Sequence, residues 1–160
     1  MGRISTRDQG LAVRNAGPLL ETRTRILAST EDSTDYAASE ALEVARRSGF
    51  PQATVERIGL AVHEIMINAI VHGYGCSPHK QVAVTISRTP YKLEIVIADE
   101  GNGFDADNLP DPLCPEGLLR ASGRGVYLAR AFMDEFSVQR DPAGWTTVTM
   151  AKFVDSAHAG

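Results

Sequence analysis

The run Leu60–Gly75, LAVHEIMINAIVHGYG, constrains the fold more than any other part of the chain. Apolar residues recur through it at helical spacing, which makes it a core helix. Between Ile58 and His72 the only polar side chains are His63, Glu64, Asn68 and His72. Residues four apart share a helix face, so Glu64, Asn68 and His72 form one narrow line. A solvated face would be wider and would carry Lys, Arg or several Glu; here Ala61, Ile65 and Ile67 flank the line. An unpaired buried carboxylate is strongly unfavourable, so the line must face water, a partner or a ligand. A zinc-protease helix needs a second His four residues after His63, and Ile67 stands there. Glu64 with Asn68 suits magnesium–nucleotide chemistry instead. An amide oxygen is a hard ligand for Mg²⁺, and a nearby carboxylate can take a proton from an incoming hydroxyl.

The rest of the chain supplies a sheet for this helix to cover. TRTRILAST reads as a first strand, and STEDSTDYAASEALEVARRSG as a helix with Ser, Thr and Asp cap candidates that runs to Gly49. The core helix enters near Pro51 and ends at Gly73 and Gly75. QVAVTISR and KLEIVIAD are two strands joined by a turn around TPY. A Gly-, Pro- and Asp-rich loop follows from Gly101 to Ser122; GVYLARAFMDEF returns to helical spacing, and FSVQRD with WTTVTMAKF closes the chain as a hairpin. The order predicts a two-layer α+β sandwich with a mostly antiparallel sheet and helices on one face. No internal repeat or linker divides it. We expect a partly ordered arm over 1–21, one domain over 22–153 and a tail over 154–160.

Composition narrows the function classes. Hydrophobic residues make up 43% of the 160 and charged residues 22%, a soluble globular balance. The net charge of -4, with no basic stripe, argues against direct nucleic-acid binding. No apolar run is long enough to span a bilayer, and MGRISTRDQG lacks a signal-peptide core, so no membrane association is expected. Gly2 and Thr6 meet the loose myristoylation pattern, which is often met by chance. Cys76 and Cys114 fit neither a zinc spacing nor a disulfide framework, which points to a reducing, cytoplasmic setting.

Two further features carry chemistry. In KLEIVIADEGNGFD, alternation puts Asp99 on the same strand face as Leu93, Ile95 and Ile97, the side that should be core. An inward Asp needs a donor, and a purine exocyclic amine is one. Gly101 and Gly103 remove side chains where a ligand would approach the backbone. The competing reading is a plain Asp-Gly turn; a calcium loop would want Asp or Asn in place of those glycines. In ASGRGVYLARAF, Gly123 and Gly125 leave N–H groups free at the positive end of a helix, a seat for phosphate to which Arg124 adds a charge. No Gly-Lys-Ser/Thr follows and no strand leads into the pair, so it is neither a Walker loop nor a Rossmann fingerprint.

Glu64 and Asn68 on a helix, then DEGNGFD after a strand, then GRG at a helix start resemble the N, G1 and G2 boxes of the Bergerat (GHKL, histidine kinase-like ATPase) fold. Within that superfamily, NAIVHGYG, DEGNGFD and GRGVYLARAFMDEF look closest to the anti-sigma factor serine kinases of the RsbW type, and the likeness runs roughly from Thr22 to Phe153. The resemblance implies that Glu64 is the general base, that Asn68 holds Mg²⁺ against the phosphates of ATP, and that Asp99 binds the adenine amine. It implies that Gly101 and Gly103 shape the adenine pocket. Gly123, Arg124 and Gly125 would meet the phosphates under a lid from about Asn108 to Ser122, and Thr146 stands on the adenine side. Ile67 departs from the pattern, since many relatives place Thr before the Asn; no key ligand is lost.

The function so implied is transfer of the ATP γ-phosphate to a serine of an anti-sigma factor antagonist, with a sigma factor as a second partner. Members of this group commonly form homodimers, though no interface pattern in the sequence argues for one independently. Two alternatives are a nucleotide-gated binding module, which would have no need of Glu64, and a detached histidine-kinase catalytic domain. The dipeptide His63-Glu64 resembles a phospho-acceptor motif, but His63 shares a helix with the base and has no hairpin of its own. His72 has no role beyond closing the stripe or packing at a helix end.

Overall fold

The computed structural model describes residues 17–73, 80–100 and 121–155, excepting the side chains of 71–73 and 121–123. The readings placed on Gly2, Thr6, Cys76, Gly101, Gly103, Cys114, most of the 108–122 lid and the His72 side chain lie outside those residues. The elements run β1 (Glu21–Ala28), α1 (Glu31–Arg47), α2 (Gln52–Ile67), a π-helical turn (Asn68–Gly73), β2 (Gln81–Arg88), β3 (Lys92–Asp99), α3 (Ala121–Phe132), β4 (Glu135–Arg140) and β5 (Thr146–Phe153). All four strand pairings are antiparallel, in the order β1-β2-β3-β5-β4. This is the expected α+β sandwich, with the helices packed as one layer.

Strict alternation builds the inner sheet face. Val82, Val84 and Ile86 of β2 and Leu93, Ile95 and Ile97 of β3 are buried, while their neighbours are half-exposed. Against that face lies α2, which buries Val55, Ile58, Val62, Ile65 and Met66 at helical spacing. It packs between α1 and α3. Gly59 permits the close approach of α1, because a methyl group there would lie 2.6 Å from Leu42 Cδ2. On the other flank the Arg57 guanidinium sits 5.9 Å from the ring centre of Phe132, within cation–π range. Among the described residues no helix is long and apolar enough to cross a membrane.

Two boundaries differ from the sequence reading. The α-helix stops at Ile67 and the chain continues as a wider π turn from Asn68 to Gly73. Helix α3 ends at Phe132, and Glu135, read from spacing as helical, belongs to β4 with Phe136, which the helical and hairpin readings shared. Phe136 falls four residues after Phe132, so periodicity continues the helix; pairing of Phe136 with Met150 of β5 overrides it.

The edge strand β1 is fastened to α1 by charge. Arg23 pairs with Glu21 at 3.0 Å and Glu43 at 2.9 Å, Arg25 with Glu40 at 3.2 Å, and Arg47 with Glu21 at 2.9 Å. Arg88 of β2 also meets Glu21, at 3.0 Å. Burial alone would raise the Glu21 pKa, but the hydrogen bond from Arg88, the charge of Arg47 and the contacts of Arg23 outweigh it. The net result lies below the ordinary 4.5. A carboxylate lowered in the folded state contributes stability in full above its unfolded pKa and loses it as pH falls through the folded value. Glu21→Gln should therefore lower the midpoint of thermal unfolding at pH 7, by about 1 kcal/mol of stability for a surface network. Melts repeated under acid conditions below pH 4.5 should show the two proteins converging; a constant gap would show that Glu21 acts through packing.

Candidate functional site

Helix α2 delivers Glu64 and Asn68 one turn apart, and the two are coupled through the backbone. The Asn68 N–H donates to the carbonyls of Glu64 and Ile65, where the α-helix passes into the π turn. Single π turns inside helices occur often at functional positions. This one, which Asn68 opens, packs against α3 and β3. The Asn68 side chain is 8% exposed, and its Nδ2 has no hydrogen-bond partner among the described residues. A half-turn of the amide exchanges oxygen and nitrogen, so either atom can face a ligand. Because the wider turn begins at Asn68, the four-residue arithmetic that placed His72 on the same line stops there.

Glu64 is only partly covered, with 27% of its side chain exposed. Its closest cover comes from α3. A Cβ added to Gly125 would lie 3.2 Å from both Cβ and Cδ of Glu64 and would overlap its Oε2. Gly125 is not among the positive-φ glycines of the described residues, which are Gly49 and Gly144. Space for the carboxylate, not backbone conformation, is what demands glycine at 125.

The glycine pair also sits differently from its reading. Helix α3 starts at Ala121, so Gly123 and Arg124 fall within the first four residues, whose N–H groups have no intrahelical acceptor. Gly125 lies just past them. Arg124 is exposed.

The sheet contributes the second half of the site. Asp99 ends β3 on the inner face and is 6% exposed; its register partner on β5 is Thr146, 1% exposed. Directly opposed residues of an antiparallel pair have Cβ atoms about 5 Å apart. Two residues read separately from the sequence are thus side by side, and the π turn after Asn68 packs on the strand that carries one of them.

The model of the histidine kinase-like ATPase domain matches residues 27–152 of this chain. The chain belongs to that family. Within the family it is similar to the serine-protein kinases RsbW. It is 32% identical over 118 residues to RsbW of Bacillus subtilis, an alignment covering 70% of this chain and 72% of the relative. RsbW of Bacillus licheniformis is 33% identical over the same shares. This places the chain among the RsbW-type serine-protein kinases, ATP-using proteins of the Bergerat fold. Two solved structures share the architecture. A chain of the SiaB–SiaC complex from Pseudomonas aeruginosa has a TM-score of 0.59 at 11% identity, covering 91% of this chain and 95% of its own. The RsbU and RsbW domains of Rv1364c from Mycobacterium tuberculosis give 0.55 at 19% identity. That likeness covers 83% of this chain, which spans about a third (32%) of the Rv1364c chain. At such identities the likeness speaks for the fold alone.

Proposed function

We propose that this histidine kinase-like ATPase moves the γ-phosphate of ATP to a serine hydroxyl on an anti-sigma factor antagonist, in a cytoplasmic partner-switching circuit. The observation that carries the reading is the seat of Glu64. A part-exposed carboxylate rests on Gly125 at the start of α3, one turn from a buried asparagine with an unpartnered amide. Glu64 accepts the proton of the serine Oγ as the bond from Oγ to phosphorus forms and the bridging bond to ADP breaks. Gly123 and Arg124 place the phosphates by means of the free N–H groups of the N-terminal turn of α3, and Gly125, just past them, keeps the approach free of a side chain.

Asn68 offers its amide to Mg²⁺. When bound, the ion neutralises charge on the phosphates during transfer. The residues suit this ion: the Asn68 amide is buried and its Nδ2 has no partner among the described residues, so its oxygen can turn toward a cation. Magnesium is commonly held by one or two protein ligands together with substrate phosphates. Asp99 accepts a hydrogen bond from the adenine amine beside Thr146, with Gly101 and Gly103 continuing that wall. Under this reading a sigma factor competes with the unphosphorylated antagonist for the chain, which acts as a homodimer.

Asp99→Asn should weaken ATP about tenfold or more, the loss of one charge-assisted bond, as measured by calorimetry. An unchanged affinity would remove the adenine assignment. The function itself is tested by retrieving partners from the native cell with and without ATP, adding labelled ATP and Mg²⁺, and mapping the label. Acid-stable label on a partner serine is the expected result. Acid-labile label on His63, or ATP bound with nothing transferred, would overturn it.

A further inference from the structure

Glu64 packs against Gly125 of α3. Next to it is His63, whose Nδ1 lies 3.9 Å from Glu64 Oε1 and whose Nε2 lies 3.8 Å from Asp35 Oδ1 of α1. Beyond His63 the first turns of α1 and the last turns of α2 part to leave a hollow of about 310 Å³, lined by Glu31, Thr34, Asp35, His63, Ile67 and Ile70. Thr34 is 3% exposed, yet its Oγ1 has no hydrogen-bond partner, and the buried Nδ1 of His63 has none either. A second hollow adjoins it through Glu31 and is lined also by Ser29, Thr30 and Asp32. Ser29 is fully buried there, and its Oγ is likewise without a partner.

The rim of these hollows is acidic. Glu31 and Asp32 occupy the first turn of α1, where the helix dipole favours negative charge, and that alone explains their type. It does not explain Asp35, a turn further on and 79% exposed, nor three buried polar atoms left without partners beneath the acids. Neither Glu31 nor Asp32 forms an ion pair among the described residues, and the cluster does not assemble a metal-holding group. What completes such a surface is a polypeptide that brings its own hydrogen-bond donors and a positive side chain.

We propose that the α1/α2 hollow is the docking site of the phosphate-accepting protein, which seats a Lys or Arg near its acceptor serine between Glu31 and Asp35. This rests on the kinase reading above and extends it. The acceptor reaches Glu64 over His63, from the side away from α3, so nucleotide and protein substrate approach the carboxylate from opposite flanks. His63 Nδ1 and Thr34 Oγ1 then bond polar groups of the incoming backbone, and Ile67 and Ile70 receive its apolar part.

The test uses the full chain and two serine peptides that differ only in one Arg, or Gln, placed two residues from the serine. With isotope-labelled protein, the Arg peptide should shift amide resonances of residues 31–35 and His63. The Gln peptide should bind at least tenfold more weakly, and Asp35→Lys should abolish the difference between them. Glu31→Gln with Asp35→Asn, which removes charge without adding bulk, should reproduce that loss in a protein whose melting point confirms folding. Equal binding of both peptides, shifts confined to other surfaces, or a change of oligomeric mass in place of peptide affinity would overturn the docking site. Arg-dependent binding at 31–35 without serine phosphorylation on adding Mg²⁺ and ATP would instead overturn the kinase reading and leave the docking site standing.

Discussion

Glu64→Gln is expected to slow phosphoryl transfer by roughly 10²–10⁴-fold, the range that a positioned general base contributes, with little change in affinity for ATP. Glutamine keeps the length and shape of the side chain, so the contact with Gly125 survives, and what disappears is the ability to accept a proton. Asn68 and the backbone bond linking it to Glu64 stay in place, so nucleotide should still be held. Single-turnover transfer to the acceptor, read beside a calorimetric titration of ATP, separates the two effects. Transfer at the wild-type rate would remove Glu64 from the chemistry.

The second large effect comes from adding one methyl group. Gly125→Ala should lower transfer about 100-fold, the penalty for displacing a reacting group by an ångström or so, while the protein becomes no less stable. A Cβ at 125 would overlap the Glu64 carboxylate oxygen and crowd its Cβ and Cδ, so the side chain must swing out of its seat. Alanine is the better helix former by about 1 kcal/mol, and residue 125 lies within α3, so propensity and activity pull in opposite directions. Thermal melts and single-turnover rates on one preparation would expose the split. Loss of stability together with activity would show that α3 had shifted as a whole. Combining Gly125→Ala with Glu64→Asp should give less than the product of the two losses, because the shorter carboxylate vacates the space the methyl group takes.

Much of this architecture was legible in the sequence because local and tertiary preferences agree. The strands Gln81–Arg88 and Lys92–Asp99 alternate cleanly, and that alternation alone put Asp99 on the core face. The line Glu64–Asn68 stood out because a core helix carries few polar side chains. What escaped reading depends on contacts between distant segments. Glu135 lies in the stretch with helical spacing but pairs with Ala151 in a sheet. The π turn after Ile67 has no signature in NAIVHG, which contains good helix and strand formers alike. The closeness of Gly125 to Glu64 also escaped reading, because spacing on α3 does not reveal a residue from another helix. The hollow behind His63 was invisible for the same reason: Asp35 and His63 belong to different helices, and only their packing brings them within 3.8 Å.

The pairing of Asp99 with Thr146 has a consequence in time. The two are separated along the chain by α3 and β4, so Asp99 gains its neighbour only after Thr146 has left the ribosome. A nascent chain would carry the Glu64 carboxylate and the Asn68 amide well before the proposed purine seat was closed. Stalled translation products that stop short of β5 should accordingly fail to retain ATP, and release of the last strand should switch nucleotide capture on in a single step.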